Sequence, residues 1–334
     1  MKRVDPTGDV IRNLSALEVD GDCLWFAADE DAAIHRVVRK GRHRYAKASS
    51  YRLWDYFPQL PEGPDREVDI EGLSIFGDAL WVLGSHCRAR AKDGVQDGAP
   101  GPIEARPNRH LLARLALGNA DADGRRGLAD PGEPGAASSL AFTAAGDALT
   151  DALADDPLFS PFLALPAKEN GLDLEGLAVD GTKVYVGLRG PVVAGKAILL
   201  ELTIGFGAEG GLELVDDGSG CSFRKHILDL DGLGIRDLVL RGKDLFILAG
   251  PTMLLDGPCF IYRWRRERTG SIKEVERILQ VPTRWKSDHP EGLTLIAVDG
   301  EERLLVVYDS PAKQRIDGSK VAADLFETGS EGNS

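Results

Sequence analysis

The sequence predicts an all-β fold, a β-propeller of four-stranded antiparallel blades, and three observations carry that prediction. A short hairpin unit recurs, its copies are spaced as blades are, and the segments between them alternate like outer strands. The unit is an apolar run, a Gly-centred turn and a second apolar run. Its copies are Ala16 to Phe26, Glu71 to Val82, Glu175 to Val186, Asp237 to Ile247, and Glu291 to Leu295 closing through Leu304 to Tyr308. β-Branched and aromatic residues bounded by Gly and Asp mark each copy as a β-hairpin. Leu17, Leu73, Leu177, Leu238 and Leu293 stand 56, 104, 61 and 55 residues apart, and three of these gaps fit one blade each.

Taken in order, Val4 to Ile11 is expected as the fourth strand of the last blade, closing the ring by joining the two ends of the chain. Third strands are expected at Ala33 to Val38, His110 to Leu117, Ala197 to Thr203 and Cys259 to Trp264. Fourth strands are expected at Arg52 to Phe57, Phe159 to Leu165, His226 to Leu230 and Arg277 to Val281. The double gap admits a decayed sixth blade or an insertion in blade two. The Gly, Asp, Ala and Pro content of 118–137 favours an insertion at about 118–158 and five blades. Asp147 is placed to cap a helix there, before Pro157. Ala322 to Phe326 suits the last third strand. One domain over 1–328 and a disordered tail at 329–334 complete the expected organisation. Trp25 and Trp81 are expected in the core between blades, and Trp285 beside a cleft.

The balance of 40 basic and 53 acidic side chains, a net charge of −13, argues against a nucleic-acid partner. No apolar run approaches the length of a membrane span, so no membrane partner is expected. Met1 to Asp9 lacks the apolar core of a secretory signal, which makes the cytoplasm the expected location. Four scattered cysteines suggest buried or free thiols. There is no Gly-x-Ser-x-Gly elbow, no phosphate-binding loop and no His-Glu-x-x-His.

Propeller geometry brings the starts of first strands and the ends of second strands to one face of the central channel. The first set holds Asp69, Glu71, Asp173, Glu175, Arg236, Asp237, Asp288, His289 and Glu291; the second holds Asp29, Ser85, His86, Arg189, Thr252, Asp309 and Ser310. Carboxylates crowded there must be protonated, paired with arginine or bound to a cation.

Asp69-Ile70-Glu71-Gly72-Leu73, Asp173-Leu174-Glu175-Gly176-Leu177 and His289-Pro290-Glu291-Gly292-Leu293 resemble the phytase-like, or esterase-like phytase, propellers of bacteria. With Lys168-Glu169-Asn170-Gly171, Leu188-Arg189-Gly190-Pro191 and Ala249-Gly250-Pro251-Thr252, nearly the whole chain resembles a bacterial propeller family defined only as a domain of unknown function. The second resemblance implies a propeller and no particular activity. The first implies calcium-dependent phosphoester chemistry, although Ser15-Ala16-Leu17 and Arg236-Asp237-Leu238 depart from the Glu-Gly-Leu pattern.

Two functions fit this face. As a metal-assisted hydrolase, lactonase-like or phosphoesterase-like, it would hold calcium, its implied cofactor, with Glu71, Glu175, Asp237 and Glu291. Arg189, Arg236 and His289 would then orient an anionic ester. As a binding module it would recognise a small anionic ligand or a protein partner with no cofactor, the carboxylates serving structure and specificity. Unpaired oxygens clustered at cation size would favour the enzyme; carboxylates already matched by arginine would favour binding. The sequence leans towards binding.

Overall fold

The five recurrent hairpins are the inner halves of five antiparallel blades in the computed structural model, which describes residues 10–329 except 43, 92–99, 217, 219, 254–255, 267–274 and 285. First and second strands pair as Leu14–Asp20 with Cys23–Ala28, Ile70–Phe76 with Ala79–Gly84, and Asp173–Asp180 with Lys183–Gly190. Gly234–Arg241 with Asp244–Gly250 and His289–Val298 with Glu301–Asp309 complete the set. Third strands are Ala33–Gly41, Leu112–Ala116, Ala197–Phe206, Cys259–Arg265 and Asp324–Glu327. All five overlap the segments expected for them.

Period-two side-chain alternation makes each blade two-faced, so that a blade can bury apolar residues against both neighbours. Five apolar clusters result, one at each blade interface. Trp25 points into the cluster between blades one and two, and its neighbour Phe26 into the one between blades five and one. Trp81 fills the interface of blades two and three. Leu14 and Leu17 packing on Ile296, Val298 and Leu305 close the ring.

Inner strands are also tied to one another by polar side chains. The Ser15 hydroxyl donates to the Ile70 carbonyl. Glu18 accepts from the Ile75 amide at 3.3 Å and the Thr294 hydroxyl at 2.9 Å, and Ser74 Oγ accepts from the Val179 amide at 3.2 Å. Glycine in the Glu-Gly-Leu unit serves the same close approach. A Cβ on Gly72 would lie 2.6 Å from Leu177 Cβ, and one on Gly176 would lie 2.7 Å from Leu238 Cγ in the next blade.

Two fourth strands differ from expectation. In blade one the strand is Arg44–Arg52, and Leu53–Tyr56 turns into a short helix that buries Leu53. In blade two it is Ala137–Ser139, whereas Phe159–Leu165 contains a 3-10 turn at Ser160–Phe162. Phe159 is apolar because it packs between blades two and three, and Pro161 removes the amide a ladder would need. Phe223–Leu228 and Val275–Val281 are the remaining fourth strands, near their expected positions. Helix Ala148–Ala154 is capped by Asp147, which exchanges bonds with Thr150.

The expected closing strand is not seen as such: Val10–Arg12 form a 3-10 turn, and the rest of Val4 to Ile11 lies outside the described residues, as do Trp285 and 330–334. Instead, the C-terminal strand Asp324–Glu327 pairs with Glu301–Asp309, held by Arg315 against Asp324 and Asp288. The four cysteines are free, Cys221 exposed and the others buried. Among the described residues no helix is long and apolar enough to cross a membrane.

Candidate functional site

Each inner strand breaks register at the same place. The shifts fall between Leu14 and Ala16, Ile70 and Gly72, Leu174 and Leu177, Ile235 and Asp237, and Pro290 and Gly292. The residues left unpaired are therefore Ser15, Glu71, Glu175, Arg236 and Glu291, with Gly176 beside Glu175. A bulge re-aims the extra side chain and disrupts local pairing. Four of the five bulged side chains line one cavity at the channel mouth, and Arg236 and Glu291 line its neighbour.

Strand ends supply the partners. Arg189, closing the second strand of blade three, is ion-paired with Asp173 and, at 2.7 Å, with Glu175. Arg236 pairs with Glu291, lies 3.6 Å from Glu175 Oε2 and donates to the Pro251 carbonyl at 2.9 Å. Both guanidiniums are largely buried, so their carboxylates are needed to offset lost hydration. On the opposite side Asp69 accepts from Ser85 and is paired with Arg109 at 2.9 Å, while Arg109 also meets Glu67 and Cys87. Burial, then Asp173 and Asp69, pushes the Cys87 thiol up.

Glu71 stands apart. It has no hydrogen bond or ion pair to protein among the described residues; burial and the nearby Asp69 and Glu175 hold its carboxyl well above the usual range. Asp29 is pushed up to about 7 by burial and by Asp69 and Asp309. His289 is raised by Asp309, whose carboxylate lies 3.7 Å from Nδ1, and its Nε2 lies 3.5 Å from Asp256.

The mouth consists of two adjoining cavities of about 470 and 440 Å³, which share Lys168, Arg189, Glu291 and Asp309. The first also holds Arg236, Arg284 and His289; the second holds Glu71, Asp29, Asp69 and Glu175. Of the expected cation ligands, Glu71, Glu175 and Glu291 reach the mouth and Asp237 does not. Asp237 occupies the glycine position of the motif, and its oxygens accept the amides of Leu238 and Leu293, both at 2.7 Å, bracing blade four to blade five. With Glu175 and Glu291 turned to arginines, the quartet does not fit calcium, which requires six to eight oxygens in its own shell. Among the described residues no group of three or more His, Cys, Asp or Glu side chains is arranged for a metal ion.

Arg109 escaped the sequence reading because it precedes the third strand, in a 3-10 turn over Pro107–Arg109 that the repeat does not mark. Lys168 was visible only as part of the Lys-Glu-Asn-Gly loop leading to Asp173.

No curated protein matches the chain. Among solved structures, it is similar to the phage phi92 endosialidase at 9% identity, over 89% of this chain and 50% of that one, with a TM-score of 0.40. An exo-1,5-α-L-arabinanase from a bovine ruminal metagenomic library gives 8%, 95%, 91% and 0.38. The PQQ-bound aldose sugar dehydrogenase of Streptomyces coelicolor gives 14%, 95%, 83% and 0.37. Such distant likenesses carry no argument about activity. The family model described as a protein of unknown function (DUF3616) matches residues 13–324, nearly the whole propeller, and the chain belongs to that family.

Proposed function

We propose that this protein is a binding module that takes a small anionic ligand into the paired cavities at its channel mouth and performs no chemistry on it. One observation carries the reading: three of the ring carboxylates are matched by arginines already in place, Arg189 between Asp173 and Glu175, and Arg236 between Glu175 and Glu291. Charges arranged before the ligand arrives need little reordering on binding, which favours recognition. The ligand's anionic group belongs on the wall formed by Arg236, Lys168 and His289, where five bases face three carboxyl groups. Lys168 is exposed and has no ion pair among the described residues. Thr252 and Ser310 add hydroxyls to the same wall. A calcium-assisted hydrolase would need free oxygens where arginines stand, and Cys87 is held as a thiol, a poor nucleophile.

Calorimetric titration with citrate, inorganic phosphate and sugar phosphates tests this. Binding is expected for at least one, weakened about tenfold or more by Lys168→Ala, as loss of a charge-assisted contact implies. Turnover of phosphate or carboxylate esters with calcium, abolished by Glu175→Gln, would replace the binding reading with the enzyme one.

A further inference from the structure

A third cavity, of about 340 Å³, opens beside blade two, between the segment that follows its second strand, the turn that precedes its third strand and the helix Ala148–Ala154. Cys87 and Arg88 line both this cavity and the smaller half of the mouth. Two arginines and two histidines face it against one carboxyl group, Asp151. His86 is already matched. Its ring nitrogens meet two acceptors, the Gly84 carbonyl at 2.7 Å and Asp147 Oδ2 at 3.0 Å, so the buried ring donates from both and forms an ion pair with Asp147. The other three bases have donors to spare. Arg88 has no ion pair among the described residues and donates only from Nε, to the Leu163 carbonyl at 3.1 Å, which leaves both of its Nη groups without protein acceptors. Arg106 meets Glu104 through Nη2 at 2.6 Å, while its buried Nε has no acceptor. His110 Nδ1 is likewise buried and without a partner. Buried polar atoms are rarely left in that state, because their lost hydration is not replaced. The rest of the wall is apolar, formed by Ala105, Ala144, Ala145, Ala154 and Leu163.

We propose that this cavity is a second ligand site, separate from the mouth, for a small carboxylic acid with an apolar body. The free Nη pair of Arg88 suits the two oxygens of a carboxylate, and Arg106 Nε and His110 Nδ1 supply further donors. Inorganic phosphate would use the same donors but would leave the alanine wall uncovered, whereas a hydrocarbon body buries against it. The cavity volume lies at the small end of ligand pockets, which run from roughly 300 to 1,000 Å³ and are mostly apolar with a few convergent polar groups. Burial, then the charge of His86, holds His110 down to about 4, so its ring is neutral near pH 7; Asp147 and Arg88 are the other charges that act on it. A carboxylate bound beside the ring favours the imidazolium, so occupancy of the cavity is reported by the titration of His110.

Benzoate, its uncharged amide benzamide and inorganic phosphate serve as probes, each titrated against the NMR signals of the histidine rings, with those of His110 assigned by their loss in His110→Gln. Benzoate is expected to move the His110 signals and to bind about tenfold or more tighter than benzamide, as a charge-assisted contact predicts. Saturating benzoate should raise the midpoint of His110 from about 4 to about 5 or above. Arg106→Gln should weaken benzoate about tenfold or more, while Lys168→Ala, which alters the mouth, leaves it unchanged; a thermal melt establishes that both variants are folded. Equal binding of benzamide, tighter binding of phosphate, or His110 signals that no probe moves would overturn the site. Benzoate binding that Lys168→Ala abolishes and Arg106→Gln spares would overturn it too, by placing the acid in the mouth. Citrate and sugar phosphates test the mouth separately, so failure of this site leaves that reading standing.

Discussion

Asp29 gives the residue-scale account of the mouth a direct test, because its environment separates its folded and unfolded titration. In the folded protein its pKa is about 7, against 3.8 for the unperturbed side chain. The folded state therefore holds an extra proton between these values. The stabilisation this brings is complete below about pH 4 and is lost as the pH rises through about 7. Asp29→Asn is expected to melt higher than wild type at pH 8 and to show a shallower fall in melting temperature from pH 5 to 8; an unchanged slope would contradict it. Arg236 is the second residue-scale case. Replacing it with Met leaves Glu291 and the buried Glu175 short of their partner, a loss of about 3–5 kcal/mol measurable by denaturant unfolding. Arg236→Lys should recover only part, since one ammonium cannot span Glu291 and the Pro251 carbonyl as a fork does. The repeat made Glu71, Glu175, Glu291, Arg189 and Arg236 legible. Asp237 misled because the fourth copy reads Arg-Asp-Leu where three of the others read Glu-Gly-Leu, and a one-residue slip in a strand exchanges its faces.

At the scale of the element, the inner-strand bulge does the positioning, and in blades two, three and five the glycine after it lets neighbouring inner strands approach. Gly176→Ala would drive a Cβ against Leu238 Cγ at 2.7 Å and the Asp237 backbone at 3.1 Å. A cost of about 1–3 kcal/mol is expected from such overpacking, with the blade interface loosened rather than the mouth emptied. Equal stability of Gly176→Ala and wild type in urea would refute the steric account. Hairpins were readable because turn chemistry and apolar alternation are local. The fourth strands were harder. Ala137–Ser139 is a three-residue edge strand with little pattern of its own, and it forms because Leu112–Ala116 offers a free edge.

Across the whole molecule, ring closure joins parts of the chain that are most distant in sequence. Glu18 meets Thr294, and Arg315 clamps the C-terminal strand through Asp288 and Asp324 while lying 4.0 Å from the Tyr308 ring. Arg315→Ala is expected to speed amide hydrogen exchange at Asp324–Glu327 while blades two to four keep their protection. Uniform loss of protection would mean that closure and core unfold as one unit. Local patterning alone determined that this chain makes five hairpins of propeller type and that acidic and basic groups sit at their ends, because strand period and turn residues act over a few positions. Tertiary structure decided which of those groups meet: the bulges choose the side chains that enter the mouth, and packing between blades sets which carboxylates receive an arginine and leaves Glu71 without one. Pairing across a ring depends on distances between strands remote in sequence, which no local pattern encodes.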